Sequence, residues 1–142
     1  MKKTILLYPV ILFFMTLTID SLAQSKEKEI LDARIIAFNM RDIEQYLYNM
    51  HDSVRIVAFP NTVHANNIEE MRELYTLAFN AKNMGGTIRV LARKKFGEYY
   101  IQEEWLEKFE SEPVTNYTLY KFKDDQIIEI IYLPANWKMQ NN

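Results

Sequence analysis

The chain has 142 residues, 49% of them hydrophobic and 13% aromatic, with 17 basic against 19 acidic side chains, a formal net charge of −2 and no cysteine. This balance argues against a nucleic-acid partner, which calls for a basic excess on one face. Without a thiol there are no disulfides and no cysteine chemistry, so a core must hold the fold, and the aromatic content is sufficient for one.

Lys2 and Lys3 open the chain, an apolar run follows from Ile5 to Ile19, and Ser21-Leu22-Ala23 places small residues where a signal peptidase reads. The run falls short of the ~18 apolar residues that a membrane span needs, and Pro9, Thr16 and Thr18 interrupt it. Residues 1–23 are therefore expected to be a signal peptide cleaved after Ala23. The mature protein is then periplasmic or secreted, without a stable membrane span. Removing those 23 residues leaves 119, a single domain over residues 24–136 with a C-terminal tail over 137–142. Loss of Lys2, Lys3 and Asp20 leaves 15 basic and 18 acidic groups, a net charge of −3.

Ser25 suits the N-cap of a first helix running to about Asn39, with Ile30, Ala33 and Ala37 on one face and Leu31, Ile35 and Phe38 widening it. Arg34 interrupts that apolar face. Asp42 with Gln45 resembles a capping box for a short helix, Ile43 to Met50. Val54 to Phe59 is β-rich and stops at Pro60-Asn61, and a polar loop carrying His64 follows. Asn67 with Glu70 caps a third helix, Ile68 to about Asn80, with Met71, Leu74, Tyr75 and Ala78 at helical spacing before Gly85-Gly86. Thr87–Phe96, Glu98–Phe109, Asn116–Phe122 and Gln126–Leu133 read as strands. The breaks between them are short and polar, as in an antiparallel meander. Helices grouped before such a sheet predict an α+β fold, a cone of curved sheet wrapped by three helices.

At this point the stretch from Ile36 to Ile43, with Tyr46-Leu47 and His51-Asp52-Ser53-Val54, resembles the opening of the nuclear transport factor 2-like superfamily, in its SnoaL-like and ketosteroid-isomerase-like branches. Val57-Ala58-Phe59-Pro60 is similar to the family's first strand end, Ile68 to Tyr75 to its third helix, and Tyr120 to Ile127 to its final hairpin. The resemblance runs from Ile30 to Leu133 and implies the cystatin-like cone, with a homodimer through the sheets. The isomerase branch places an aspartate base, a tyrosine and a late aspartate at positions that match Phe59, Arg34 and Thr118 here, so that isomerase mechanism is not expected.

A different polar set remains. Tyr100, Gln102 and Glu104 alternate with Glu103 along one strand, and one of the two glutamates must face the cone. Glu104 matches a glutamate that many SnoaL-like proteins carry. The expected function is binding of a small hydrophobic or aromatic molecule in the cone, lined by Arg34, Tyr46, Phe59, His64, Tyr75, Tyr100, Gln102, Glu104, Thr118, Tyr120 and Tyr132. One alternative is a proton-transfer enzyme (isomerase, dehydratase or cyclase) with Glu104 or His64 as base. Another is a protein-interaction module that uses the outer sheet face, with aromatic side chains filling the cone. A third possibility confines Arg34 and Glu104 to an ion pair between helix and sheet. His51 and His64 lack a third ligand at recognisable spacing, and no glycine-rich phosphate loop or nucleophile elbow occurs, so neither a metal nor a cofactor is expected.

Overall fold

A computed structural model of the chain describes residues 26–81, 86–107 and 112–133. The leader with its cleavage site, Ser25, Gly85 and the tail over 137–142 lie outside the described residues. No described helix is long and apolar enough to cross a membrane.

Helix α1 covers residues 26–40, α2 is Ile43–Leu47 and α3 is Ile68–Asn80. The buried stripe of α1 is Ile30, Leu31, Arg34, Ile35, Ala37 and Phe38, while Ala33, expected on it, faces out. Arg34 therefore takes a core position. α1 ends in a Schellman turn: the N–H of Arg41 donates to the Phe38 carbonyl at 3.1 Å and that of Asp42 to the Ala37 carbonyl at 3.0 Å. Arg41 occupies the left-handed position with φ 60°. Its guanidinium stacks over Phe38 and donates to the carbonyls of Phe38 and Gly86, which ties this turn to the start of the sheet. Both capping residues act as expected. Asp42 accepts from the N–H of Gln45 and Asn67 from that of Glu70, and Glu70 in turn accepts from the N–H of Asn66.

The sheet has six strands in the order β2-β1-β6-β5-β4-β3, with β1 Met50–Ala58, β2 Thr62–Ala65, β3 Thr87–Phe96, β4 Tyr99–Glu107, β5 Val114–Lys123 and β6 Gln126–Leu133. β3 to β6 form the expected meander. Two expectations are corrected. The second helix stops at Leu47 and β1 begins at Met50, so His51 lies on a strand rather than in a loop. The segment holding His64 is the edge strand β2, which makes β1–β2 a hairpin. β1 pairs β6 in parallel, the one parallel ladder in an otherwise antiparallel sheet.

Strand alternation divides the sheet into two faces. In register on the concave side lie Tyr100, Tyr120, Ile130 and Ile56, all buried, and beside them Gln102, Thr118 and Tyr132. Against these rows pack the helices, with Phe38, Tyr46, Tyr75 and Phe79 meeting at centroid separations between 4.5 and 6.4 Å. Phe59, expected to fill the cone, lies just past β1 and is 53% exposed.

Candidate functional site

Within this aromatic interior runs a chain of polar side chains. Glu104, 2% exposed, points inward from β4, whereas Glu103 sits on the outer face and accepts from the Tyr117 hydroxyl at 3.3 Å. That resolves which glutamate faces the cone. Three donors converge on the Glu104 carboxylate: the Gln102 amide at 2.6 Å and the Tyr120 hydroxyl at 2.9 Å on Oε1, and the Thr118 hydroxyl at 3.0 Å on Oε2. The sheet itself arranges them. Gln102 pairs with Thr118 and Tyr100 with Tyr120 across the β4–β5 ladder, so all four side chains emerge on one face around Glu104.

Arg34, 4% exposed, reaches in from α1 and meets the other side of the Tyr120 hydroxyl, to which Nη1 donates at 2.7 Å. Nη2 donates to the Tyr46 hydroxyl and, at 3.4 Å, to that of Tyr132, which is itself 2.6 Å from the Tyr75 hydroxyl. The guanidinium also lies 4.6 Å from the Tyr46 ring centroid and 4.9 Å from that of Tyr120. Arg34 and Glu104 are thus joined through one phenol rather than as a direct ion pair. Nε of Arg34 is buried with no hydrogen-bond partner.

The electrostatics follow from burial. Desolvation works against the Arg34 cation, but the surrounding tyrosine oxygens outweigh it and hold its pKa above the ordinary value, so the group stays charged. Burial pushes the hydroxyls of Tyr46, Tyr120 and Tyr132 well above the usual phenol range, although Arg34 pulls the other way. All three are neutral hydroxyls at physiological pH, able to donate and accept.

Sequence reasoning missed Arg93. Its side chain, 8% exposed, enters from β3, donates through Nε to Gln102 Oε1 at 2.8 Å and pairs with Asp32 of α1 at 2.8 Å. A regular strand would have put Arg93 on the face opposite Val90. The β3–β4 register instead slips between Val90 and Ala92, so Val90 and Arg93 both face inward.

The structure brings together Arg34, Tyr46, Tyr75, Gln102, Glu104, Thr118, Tyr120 and Tyr132. Tyr100 packs in the same interior against Phe122. Phe59 and His64 are not part of the group: both are exposed on the β1–β2 hairpin. Four of the grooves formed by described residues lie elsewhere, none of them lined by the Arg34–Glu104 chain. One, of about 360 Å³, crosses the outer face of β3 to β5 beside Ile101, Glu103 and Tyr117. Another, of about 280 Å³, lies on the outer face beside His51, Arg55 and Lys123. Among the described residues no cluster of three or more metal-ligating side chains occurs.

No family model matches the chain, and no curated protein matches it in sequence. Solved structures do. An uncharacterised cystatin-fold protein from Novosphingobium aromaticivorans superposes with a TM-score of 0.69 at 20% identity, over 76% of this chain and 97% of its own. A nuclear transport factor 2-like protein from Burkholderia xenovorans gives 0.66 at 13% identity, over 84% and 91%. A Jannaschia protein described as a SnoaL-like polyketide cyclase gives 0.64 at 15% identity, over 76% and 84%. Likeness at these identities carries the fold and no activity. The architecture announced by the helix–strand order is thereby identified: the chain has the cone-shaped α+β fold of the nuclear transport factor 2-like proteins.

Proposed function

We propose that the protein is an exported single-domain binder of a small, mostly apolar molecule, taken up in the cone beside Arg34. The observation that carries this reading is the buried guanidinium whose Nε has no partner, set among four tyrosine hydroxyls. A core built only for stability does better with hydrocarbon at such a position, because desolvating a charge costs more than its pairing returns. Tyr132 is half-buried as a residue, while its hydroxyl lies with the buried ones and closes the chain that runs from Glu104 through Tyr120 and Arg34 to Tyr75. Neutral phenols backed by a cation can donate to a ligand oxygen, while aromatic rings surround its apolar frame. The SnoaL-like relative, described as a cyclase of polyketides, supports a small-molecule role for this architecture.

The test is to purify the mature protein from its native host and analyse it by native mass spectrometry and crystallography. A bound small molecule touching Arg34 or Tyr132 supports the reading. A protein that leaves its host empty, and stays empty against a broad panel of aromatic compounds, refutes it. Proton-transfer catalysis draws less support, since donors already occupy both oxygens of Glu104 and His64 is exposed on the edge strand.

A second reading rests on the outer sheet face. Val57, Ile131, Leu119 and Ile101 stand in one cross-strand row, each half-buried, beside the 360 Å³ groove. Such a row suits a homodimer built sheet to sheet. Leu119→Lys should then turn a dimer into a monomer in light scattering, and a parent protein that is already monomeric removes this reading.

A further inference from the structure

The outer face of the sheet carries a groove formed by an irregularity in β6. Both ladders of that strand shift at Ile128. Against β1 the pairing steps from Met50–Ile127 to Arg55–Glu129, and against β5 from Phe122–Ile127 to Lys121–Glu129, so Ile128 stands in neither register. Shifts of this kind bend a strand and re-aim the side chains around it. Here they accompany an opening of about 280 Å³ beside Ile128, lined also by His51, Ser53 and Arg55 of β1, Lys121 and Lys123 of β5 and Glu129.

The lining is positively charged in a chain whose net charge is −2. Arg55, Lys121 and Lys123 face one carboxylate there, Glu129, and Lys121 is also paired with Glu98 at 2.8 Å. Three cations against two carboxylates leave an excess of one positive charge. Glu129 stands in register between Arg55 and Lys121, but the Tyr99 hydroxyl donates to it at 3.1 Å and no ion pair joins it to either cation. Arg55 and Lys123, both exposed, have no ion-pair partner among the described residues. His51 adds a donor: the backbone N–H of Ser53 donates to its Nδ1 at 3.1 Å, so the neutral ring carries its proton on Nε2.

These groups come from two sides. β1 and β5 flank β6 and are roughly 10 Å apart, so Arg55 and the two lysines line the groove from opposite edges. A planar carboxylate presents two oxygens in one direction, whereas a tetrahedral phosphate presents oxygens to both edges at once.

We propose that this groove binds a phosphate group, as inorganic phosphate or on a small monoester, held between Arg55 and Lys123 with the His51 ring as a further donor. The site lies on the opposite face of the sheet from Arg34 and stands independently of the cone.

The experiment is a titration of the nitrogen-15-labelled mature protein at pH 7.5 and constant ionic strength, followed by backbone amide shifts. The probes are inorganic phosphate, phenyl phosphate and benzoate. Saturable shifts at Ser53, Arg55, Ile128 and Glu129 are expected with the phosphates, with a dissociation constant of about 1 mM or tighter. Equal affinity for the two phosphates identifies the free ion as sufficient, and a tighter phenyl ester identifies a monoester. Arg55→Gln combined with Lys123→Gln, both at exposed positions, should weaken binding about tenfold or more, whereas Arg89→Gln on β3, outside the groove, should leave it unchanged. Benzoate acting on the groove residues as strongly as phenyl phosphate would overturn the phosphate assignment. Shifts that remain linear with concentration, or that spread over lysines and arginines elsewhere, would overturn the site. Shifts around Arg34 report separately on the cone.

Discussion

Replacing Glu104 by leucine should bring the domain close to unfolding, whereas replacing it by glutamine should not. Leucine nearly conserves volume, so the change removes an acceptor without opening a cavity. The amide of Gln102 and the hydroxyls of Thr118 and Tyr120 lose their shared partner at 2.6, 3.0 and 2.9 Å. The two hydroxyls can turn to other acceptors, but the amide cannot, and an orphaned buried donor costs about 1–3 kcal/mol. The buried anion that Tyr120 links to Arg34 and Gln102 links to Arg93 disappears as well, and because neither cation pairs with it directly this loss is smaller than the ~3–5 kcal/mol of a broken buried ion pair. Because these costs overlap, about 4 kcal/mol is expected, a large part of the 5–15 kcal/mol typical of a domain. In Glu104→Gln the new carbonyl can accept from Gln102 and Tyr120 while the new amide donates to Thr118. Only charge assistance is lost, about 1–2 kcal/mol. Urea denaturation at pH 7 reads the difference: a midpoint lower by about 2–3 M for leucine and by about 1 M for glutamine, with unchanged slopes. A leucine variant as stable as the parent would refute the account, because the polar chain would then be a net cost to the fold. A glutamine variant as damaged as leucine would show that charge alone matters.

Alkali offers an independent check. The phenols of Tyr46, Tyr120 and Tyr132 have folded-state pKa values well above their unfolded values, because burial disfavours the phenolate. Between the two values the unfolded chain releases protons that the folded chain retains, so this contribution is intact below about pH 10 and is lost as pH rises beyond it. Three such groups give a slope approaching 4 kcal/mol per pH unit in urea midpoints followed above pH 10. A flat profile from pH 9 to 11 would place these hydroxyls in water. Asn39 makes a two-way bond to β3, donating to the Ile88 carbonyl and accepting from its N–H, both at 2.8 Å. Asn39→Ala should cost about 1–3 kcal/mol and raise amide exchange first at Ile88. Unchanged protection there would show that the sheet start is held without it. With its guanidinium replaced by hydrocarbon, Arg34→Met should melt no lower than the parent protein, and a large fall would make Arg34 a structural partner.

Local chemistry was legible in the sequence. Asp42 and Asn67 announce two helix starts because a short acceptor side chain at that position can satisfy only nearby backbone N–H groups. The bounds of α3, β3 and β6 follow from periodicity and turn residues. The aspartates 124 and 125, both with positive φ, mark the last hairpin much as Gly97 marks the first of the meander. β2 escaped notice because an edge strand of four residues, three of them exposed, has no apolar alternation to display. β1 was read as starting too late for a related reason. His51, Asp52 and Ser53 are polar, and they lie where β1 and β6 lose register between the Met50–Ile127 and Arg55–Glu129 pairs.

The α+β class, the succession of helices and strands apart from β2, and the polar intrusions Arg34 and Glu104 were all readable from the chain, since each depends on residue type and spacing within one segment. Only the tertiary structure decided that Glu104 and not Glu103 faces inward, that Tyr120 stands between Glu104 and Arg34, and that Arg93 joins them from β3. Those outcomes depend on strand register and on a one-residue slip at Leu91, and a slip of one residue exchanges the two faces of a strand. Register is set by the packing of whole strands against the helices, so no single segment carries it.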